Sequence, residues 1–423
     1  MKIQKEELIK RRQALFSMMQ KRSLALVYSG EAPHKTLDQF YAYTPNRNFQ
    51  YLTGIARERF VLVMLKKDVE TYTFLFIESD SEEATKWTGK RLMRAEASEI
   101  SGIPLDDIGY VADLPEFLSQ KILSDSRKSL IGMPKILYLD LYRPRPLTKP
   151  ISMLYAQDII ENYPELALMN LCELIDQLRR VKSTSEIALI QEAIQHTRSG
   201  IERMMKEAKV GMNERALASL FEYQIKQSGS EGLAFNTIVA GGPRAVVLHY
   251  EDNDQSIEDP SLVLCDLGAV AGGYNADITR TFPINGRFTM RQKQLYEAVL
   301  DVNKAVIDQI RPGVMVKDLN AFAKDELANR LLGLGIIKDK IEVDRYYYHS
   351  VSHYLGLDTH DVGTYQVPLE PGVVLTVEPG LYIPEEQIGI RIEDDVVVVE
   401  DGAINLSADI IKEVDEIESF MKR

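Results

Sequence analysis

Asp266, Asp277, His353, Glu378 and Glu393 each sit in a short apolar run bounded by glycines. Read as strands, such runs bury charged side chains, which a protein interior does not tolerate unpaired. Divalent cations resolve the conflict, because four carboxylates and a neutral imidazole can enclose two metals with a hydroxide between them. The residues therefore predict a dinuclear metallohydrolase, against the plainer alternative of five unrelated surface side chains. Asp266 lies in Leu262–Gly268 and Asp277 in Tyr274–Thr281, with Ala271-Gly272-Gly273 as a turn signal between them. The two runs are expected to pair as a hairpin that brings both carboxylates to one face. Glu378 and Glu393 repeat the pattern: Glu378 ends Val373–Glu378, Glu393 closes Ile388–Glu393, and Pro384–Gln387 reads as the connector. Of six histidines, His249, His349, His353 and His360 share the half of the chain that holds the acids. His349 and His353, evenly spaced, share a face if their stretch is a strand.

The elements that must position these groups fall into two parts. A chain of 423 residues exceeds what one core usually serves, so two domains are expected. Residues 1–170 read as an α/β domain. It has a helix over Glu6–Gln20, a strand over Leu24–Ser29 and paired strands Phe60–Leu65 and Thr71–Ile77 turning at Lys66-Lys67-Asp68. A helix over Glu82–Arg94 and a strand over Ile136–Leu141 follow, with no nucleotide-binding glycine motif of any strength. The character changes near Asn170, and residues 171–423 are expected to form the catalytic domain. A helix over Leu171–Arg180 comes first, and Ser183 with Glu186 forms a capping box that opens a helix reaching Ala208. Helices over Gly211–Gln227, Arg291–Ile310 and Val316–Leu332 are set among strands that dominate from Leu233 onward.

Hydrophobic content of 45% and 27% charged residues suit a soluble globular protein. A net charge of −13 disfavours nucleic acid or an anionic membrane as the main partner. Two distant cysteines, Cys172 and Cys265, exclude a disulfide framework and a thiolate zinc site, and Cys265 reads as a small buried hydrophobe. Met1–Lys21 has no apolar core of a secretion signal, and no window is long enough to span a membrane. Cytoplasmic residence is the expectation.

Several segments match a known family in order: Thr237-Ile238-Val239, Leu248-His249-Tyr250, Asp266-Leu267-Gly268, Ala276–Thr281, Ser352–Asp358, His360–Gly363, Leu375–Gly380 and Gly389–Asp394. They resemble the pita-bread metallopeptidases, specifically aminopeptidase P, the Xaa-Pro aminopeptidases. The likeness covers nearly the whole chain. In the first half it is carried by Asn46–Gly54 and Trp87–Leu92, while Arg179, Lys182 and Glu186 fall where the family links its domains. Prolidase shares the fold and the ligands but cleaves Xaa-Pro dipeptides only, and Trp87 and its neighbours favour the aminopeptidase. Methionine aminopeptidases usually lack the large first domain. Creatinase and non-catalytic peptide-binding relatives do without metal ligands that are all present here.

The resemblance implies an α/β N-terminal domain of the creatinase/prolidase type followed by a pita-bread catalytic domain. It further implies that Asp266 chelates one of two divalent metals, Asp277 and Glu393 bridge both, and His353 and Glu378 complete the second. Oxygen-rich ligands with one imidazole favour Mn²⁺, with Co²⁺ or Zn²⁺ as alternatives. The implied catalytic set is His249, His349, His360, Glu378, Arg391 and Tyr382. His360 would polarise the scissile carbonyl, and His249 and His349 would contact the leaving proline. Arg391 and Tyr382 would hold a ligand carboxylate and the hydroxide in place. Trp87 would reach from a neighbouring subunit to cap the proline pocket of a homodimer or homotetramer; its alternative is a core tryptophan of the first domain. Asn48 and Gln50 stand where the relative carries an acid and an aromatic, and Thr364–Pro368 is short and lacks the relative's arginine.

Overall fold

The computed structural model describes residues 2–80, 85–87, 89–124 and 127–422. Its packing divides the chain into two units, Ile3–Arg179 and Arg180–Arg423. The first is built on a six-stranded sheet of β1 (Ser23–Tyr28), β2 (Val61–Lys66), β3 (Thr71–Ile77), β4 (Ile108–Tyr110), β5 (Ile136–Leu139) and β6 (Ala167–Asn170), in the order β4-β3-β2-β1-β5-β6. β1 and β2 pair antiparallel, as do β2 and β3, the latter closing at Lys66↔Thr71; β1, β5 and β6 run parallel. One face presents Leu24, Leu26, Val61, Val63, Leu65, Leu137 and Leu139 to the core, the alternation of a pleated strand. Helices α1 (Lys5–Met18), α2 (Arg47–Thr53), α3 (Arg94–Ser101) and α4 (Leu114–Lys121) cover the sheet, and α5 (Cys172–Arg180) follows.

The helix expected over Glu82–Arg94 is not continuous. Glu82, Glu83, Ala84 and Thr88 lie outside the described residues, and residues 85–87 are helical. Gly89 then adopts φ +82° while its N–H closes on Thr85 O, a left-handed stop. The regular helix begins only at Arg94, where Glu96 returns a bond to the Met93 N–H. Asn48 is buried; it donates to Asp140 Oδ2 and accepts from Arg179, both at 2.9 Å.

The second unit repeats one theme, a helix pair beside antiparallel strands. In its first half, α6 (Thr184–Glu207) and α7 (Glu214–Gln227) accompany β7 (Ile238–Gly241), β8 (Leu262–Leu267), β9 (Val270–Ala271), β10 (Tyr274–Asn275) and β11 (Ile278–Pro283). α6 begins with the expected box: Ser183 Oγ accepts from Glu186 N while Glu186 Oε2 accepts from Ser183 N. Glu186 Oε1 also accepts from the Tyr274 hydroxyl at 2.7 Å, tying helix to ribbon. β9 and β10 close through Gly272 and Gly273, both at positive φ, which a two-residue turn of this hand requires. In the second half, α8 (Met290–Gln309) and α9 (Val316–Gly333) accompany β12 (Val374–Val377), β13 (Gly380–Ile383), β14 (Ile388–Arg391), β15 (Asp394–Val399) and β16 (Gly402–Asn405). Sheets form in the orders β11-β8-β7 and β12-β15-β16, with β13-β14 as a hairpin closed by a turn over Pro384–Glu386. α10 (Val414–Met421) ends the unit.

Candidate metal centre

The acids sit where ladders end. β8 pairs with β11 through Asp266↔Thr279 and Leu267↔Ile278, so Asp277 stands one residue before the strand. Asp277 and Thr279 are two apart and Thr279 lies opposite Asp266, which puts all three side chains on one face. β12 and β15 pair as far as Val377↔Asp394, so Glu378 and Glu393 continue that ladder by one step. The ligand atoms of Asp277, His353 and Glu393 lie within 4.8 Å of one another. A cavity of about 430 Å³ brings together Asp266, Asp277, His353, Glu378, Glu393, Arg391 and the histidines at 249, 349 and 360.

Hydrogen-bond direction fixes several protons. Arg391 can only donate: Nη2 to Asp266 Oδ2 at 2.6 Å, Nη1 to the Tyr382 hydroxyl at 3.0 Å, and Nε to Thr279 Oγ1 at 3.0 Å. The Tyr382 hydroxyl therefore donates its own hydrogen to His349 Nε2, 2.8 Å away, as a hydrogen bond, and His349 Nδ1–H donates to Ser350 O. His349 is neutral: burial and the neighbouring Arg391 bring its pKa down to about 4. Burial, then His353, also lowers His360, whose ring stands 4.3 Å from that of His353. Thr279, accepting from Arg391, donates to Glu393 Oε2 at 2.6 Å. His353 Nδ1–H is committed to Tyr354 O, which leaves the Nε2 lone pair facing Asp277 Oδ2 at 3.4 Å and Glu378 Oε1 at 3.7 Å.

A lone pair aimed at two carboxylates has no partner in the protein that reconciles it with them. Burial and mutual repulsion push the carboxyls of Asp277 and Glu393 well above their usual range, and burial raises Glu378 to about 7. Asp266 Oδ1 is buried without a hydrogen-bond partner. Crowded carboxylates, a free imidazole nitrogen and an orphaned carboxylate oxygen fit a divalent cation.

His249, His349, His353 and His360 all line the cavity, but His349 and His353 do so without a strand; residues 349–353 are irregular. Trp87 is not a core residue of the first unit: it is 81% exposed. Within Thr364–Pro368, Tyr365 lines the cavity. Sequence reading passed over Thr279 and Asp395. Asp395 Oδ2 accepts the Asp277 N–H at 3.1 Å, and the two-residue spacing of Asp277 and Thr279 was the signal available for the other. Both cysteines are free and buried, and burial raises the Cys265 thiol.

Residues 188–400 match the model of metallopeptidase family M24, and residues 8–131 match that of the aminopeptidase P N-terminal domain. The chain belongs to metallopeptidase family M24, with the N-terminal domain of the aminopeptidase P type before a pita-bread catalytic domain. Among individual proteins it is similar to the Xaa-Pro aminopeptidase of Escherichia coli, 34% identical over 99% of this chain and 98% of that one. A solved aminopeptidase P candidate from Bacillus anthracis superposes with a TM-score of 0.95 at 43% identity, covering 99% of each chain. Aminopeptidase P from E. coli, solved with the inhibitor Pro-Leu, gives 0.89 at 32% identity over 100% of this chain and 99% of that one. The protein is thus a metal-dependent peptidase, and family and site together support use of a divalent metal. Among the described residues no helix is long and apolar enough to cross a membrane.

Proposed function

We propose that the protein is an Xaa-Pro aminopeptidase, releasing the N-terminal residue from peptides with proline in the second position. The observation that carries this is the convergence of Asp277, His353 and Glu393 within 4.8 Å, in a cavity lined by three further histidines. Asp266, Asp277, His353, Glu378 and Glu393 would hold two divalent ions; the donor set favours Mn²⁺ over Co²⁺ or Zn²⁺. Bound cations supply Lewis acidity and make water nucleophilic at neutral pH.

The chain's own groups do the rest. His360, kept neutral by burial and by His353, presents an N–H rather than a full charge to the oxygen of the scissile carbonyl. Arg391 holds Asp266 and, through Thr279, Glu393, so two carboxylates cannot rotate away from the centre. Tyr382, fixed by Arg391, keeps His349 in one tautomer. Glu378, facing both His353 and His349, is placed to take up a proton during turnover. His249 and His349 are assigned to the departing proline. An Xaa-Pro bond is a tertiary amide with no N–H, so a site that reads no donor there loses nothing by accepting it.

The N-terminal domain is assigned to residues 1–170 and the catalytic domain to 171–423. The first is given the tasks of building a homodimer or homotetramer and of limiting access, with Trp87 offered to a neighbouring subunit. Its 81% exposure supports that reading. Two free, buried cysteines and a net charge of −13 support cytoplasmic residence.

Hydrolysis of an Xaa-Pro-Xaa tripeptide beside the matching Xaa-Pro dipeptide, with Mn²⁺ and with chelator, tests the proposal. Tripeptide cleavage that collapses with chelator is expected. Cleavage of the dipeptide alone would make the protein a dipeptidase, and cleavage of neither would overturn the assignment.

A further inference from the structure

Asn303, on α8, is fully buried. Its Nδ2 donates to Val377 O at 3.0 Å and to Ile392 O at 3.3 Å. These are the carbonyls immediately before Glu378 and Glu393. Its Oδ1 accepts from Lys412 Nζ at 2.9 Å, and Lys412 in turn pairs with Asp394, the residue after Glu393. One amide group thus spends both hydrogens on two different chain segments and its oxygen on a third. Arg280 adds a bond to Glu393 O at 2.5 Å and an ion pair to Asp394 at 2.8 Å, with no exposure of either charge.

This bridge stands at a break between two ladders. The β12–β15 ladder ends at Val377↔Asp394. Between that pair and Gly380↔Arg391, where the β13–β14 ladder takes over, the two segments share a bond from Ile392 N to Pro379 O at 3.4 Å, near the limit of a useful hydrogen bond. Asn303 spans that break, one amide nitrogen tying the carbonyl before Glu378 to the carbonyl before Glu393.

We propose that Asn303 is a positioning residue of the metal centre, its amide setting the separation of Glu378 and Glu393 and thereby the affinity for divalent cation. The proposal rests on the assignment of those glutamates as metal ligands. Asn303→Asp keeps the shape and the acceptor for Lys412 but removes both donors; Asn303→Ala removes the whole group. Tyr296→Phe is the matched control. Tyr296 is equally buried on the same helix, and its hydroxyl donates to Lys412 O at 2.8 Å, so its loss removes a buried bond without releasing either carbonyl.

Metal-free, full-length wild type and the three variants are titrated with Mn²⁺ by calorimetry, and each is melted without metal. The Mn²⁺ dissociation constant is expected to rise about 10- to 100-fold in the Asn303 variants. In Tyr296→Phe it stays at the wild-type value although the melting temperature falls. Asn303 variants that bind Mn²⁺ like wild type overturn the proposal. So does a control weakened as much as they are, because metal affinity would then only follow stability. Wild type that binds no Mn²⁺ overturns the ligand assignment itself, a failure distinct from the other two. Should the alanine variant not fold, the aspartate variant still decides.

Discussion

The Thr279 hydroxyl accepts from Arg391 and donates to Glu393, so a single hydroxyl links the guanidinium to the Glu393 carboxylate. Arrangements of this kind make each side chain's role specific, and His360 is the clearest case to test. Its ring neighbours His353 without a hydrogen bond to any carboxylate of the centre being formed. His360→Ala is therefore expected to lower kcat about 10²- to 10³-fold while the metal content per chain is unchanged. Loss of metal, measured by elemental analysis, would make His360 a ligand instead. Asp277, Glu378 and Glu393 were legible in the sequence because a charge in an apolar run is conspicuous. Thr279 was not, since threonine is an ordinary strand former and nothing in its type announces a bridge. Asn303 was invisible for another reason: its partners are main-chain carbonyls about seventy residues or more away, which no local pattern encodes.

At the scale of elements, the loop that carries His360 is fastened from behind. Asp361 Oδ2 accepts from Lys182 Nζ at 3.0 Å, with both side chains 1% exposed, and Lys182 lies just ahead of the α6 cap. Gly356 lets that carboxylate in, since a Cβ there would stand 2.2 Å from Asp361 Oδ2. Lys182→Met removes the ammonium and leaves a buried carboxylate without it, which is expected to cost about 3–5 kcal/mol. Urea unfolding measures this, and a loss below about 1 kcal/mol, the worth of a surface pair, would show the pair to be solvated in solution. The α6 capping box and both hairpins were readable because caps and turns use specific residues at fixed spacing. For 349–353 the condition of a strand is not met. An even spacing fits a strand, yet an irregular segment delivers His349 and His353 to the same cavity by hydrogen bonds to Ser350 O, Tyr354 O and Thr376. The helix expected over Glu82–Arg94 is interrupted at Gly89, whose φ of +82° breaks it.

For the whole molecule, the cost of gathering carboxylates falls on the metal-free state. Asp277, Glu378 and Glu393 have folded pKa values above their unfolded ones, so the folded chain holds extra protons near neutral pH. Stability then falls as pH rises, by about 1.4 kcal/mol per pH unit for each retained proton. His349 and His360, with lowered pKa values, act in the opposite sense, but only below the ordinary histidine pKa of about 6.5. Between about pH 6.5 and 8 the acids alone remain, so the melting temperature of chelated protein is expected to drop across that window. Mn²⁺ should flatten the slope, because a cation replaces the protons; identical profiles with and without it would contradict the ligand assignment. A final consequence follows from Trp87, the chain's one tryptophan, which stands 81% exposed in the first unit, while the unit that holds the acids contains none. Light at the red edge of protein absorption is taken up by that single indole. Its emission reports how wet one short helical turn is, so the chain carries its own optical gauge, indifferent to the core and responsive to whatever comes to cover that turn.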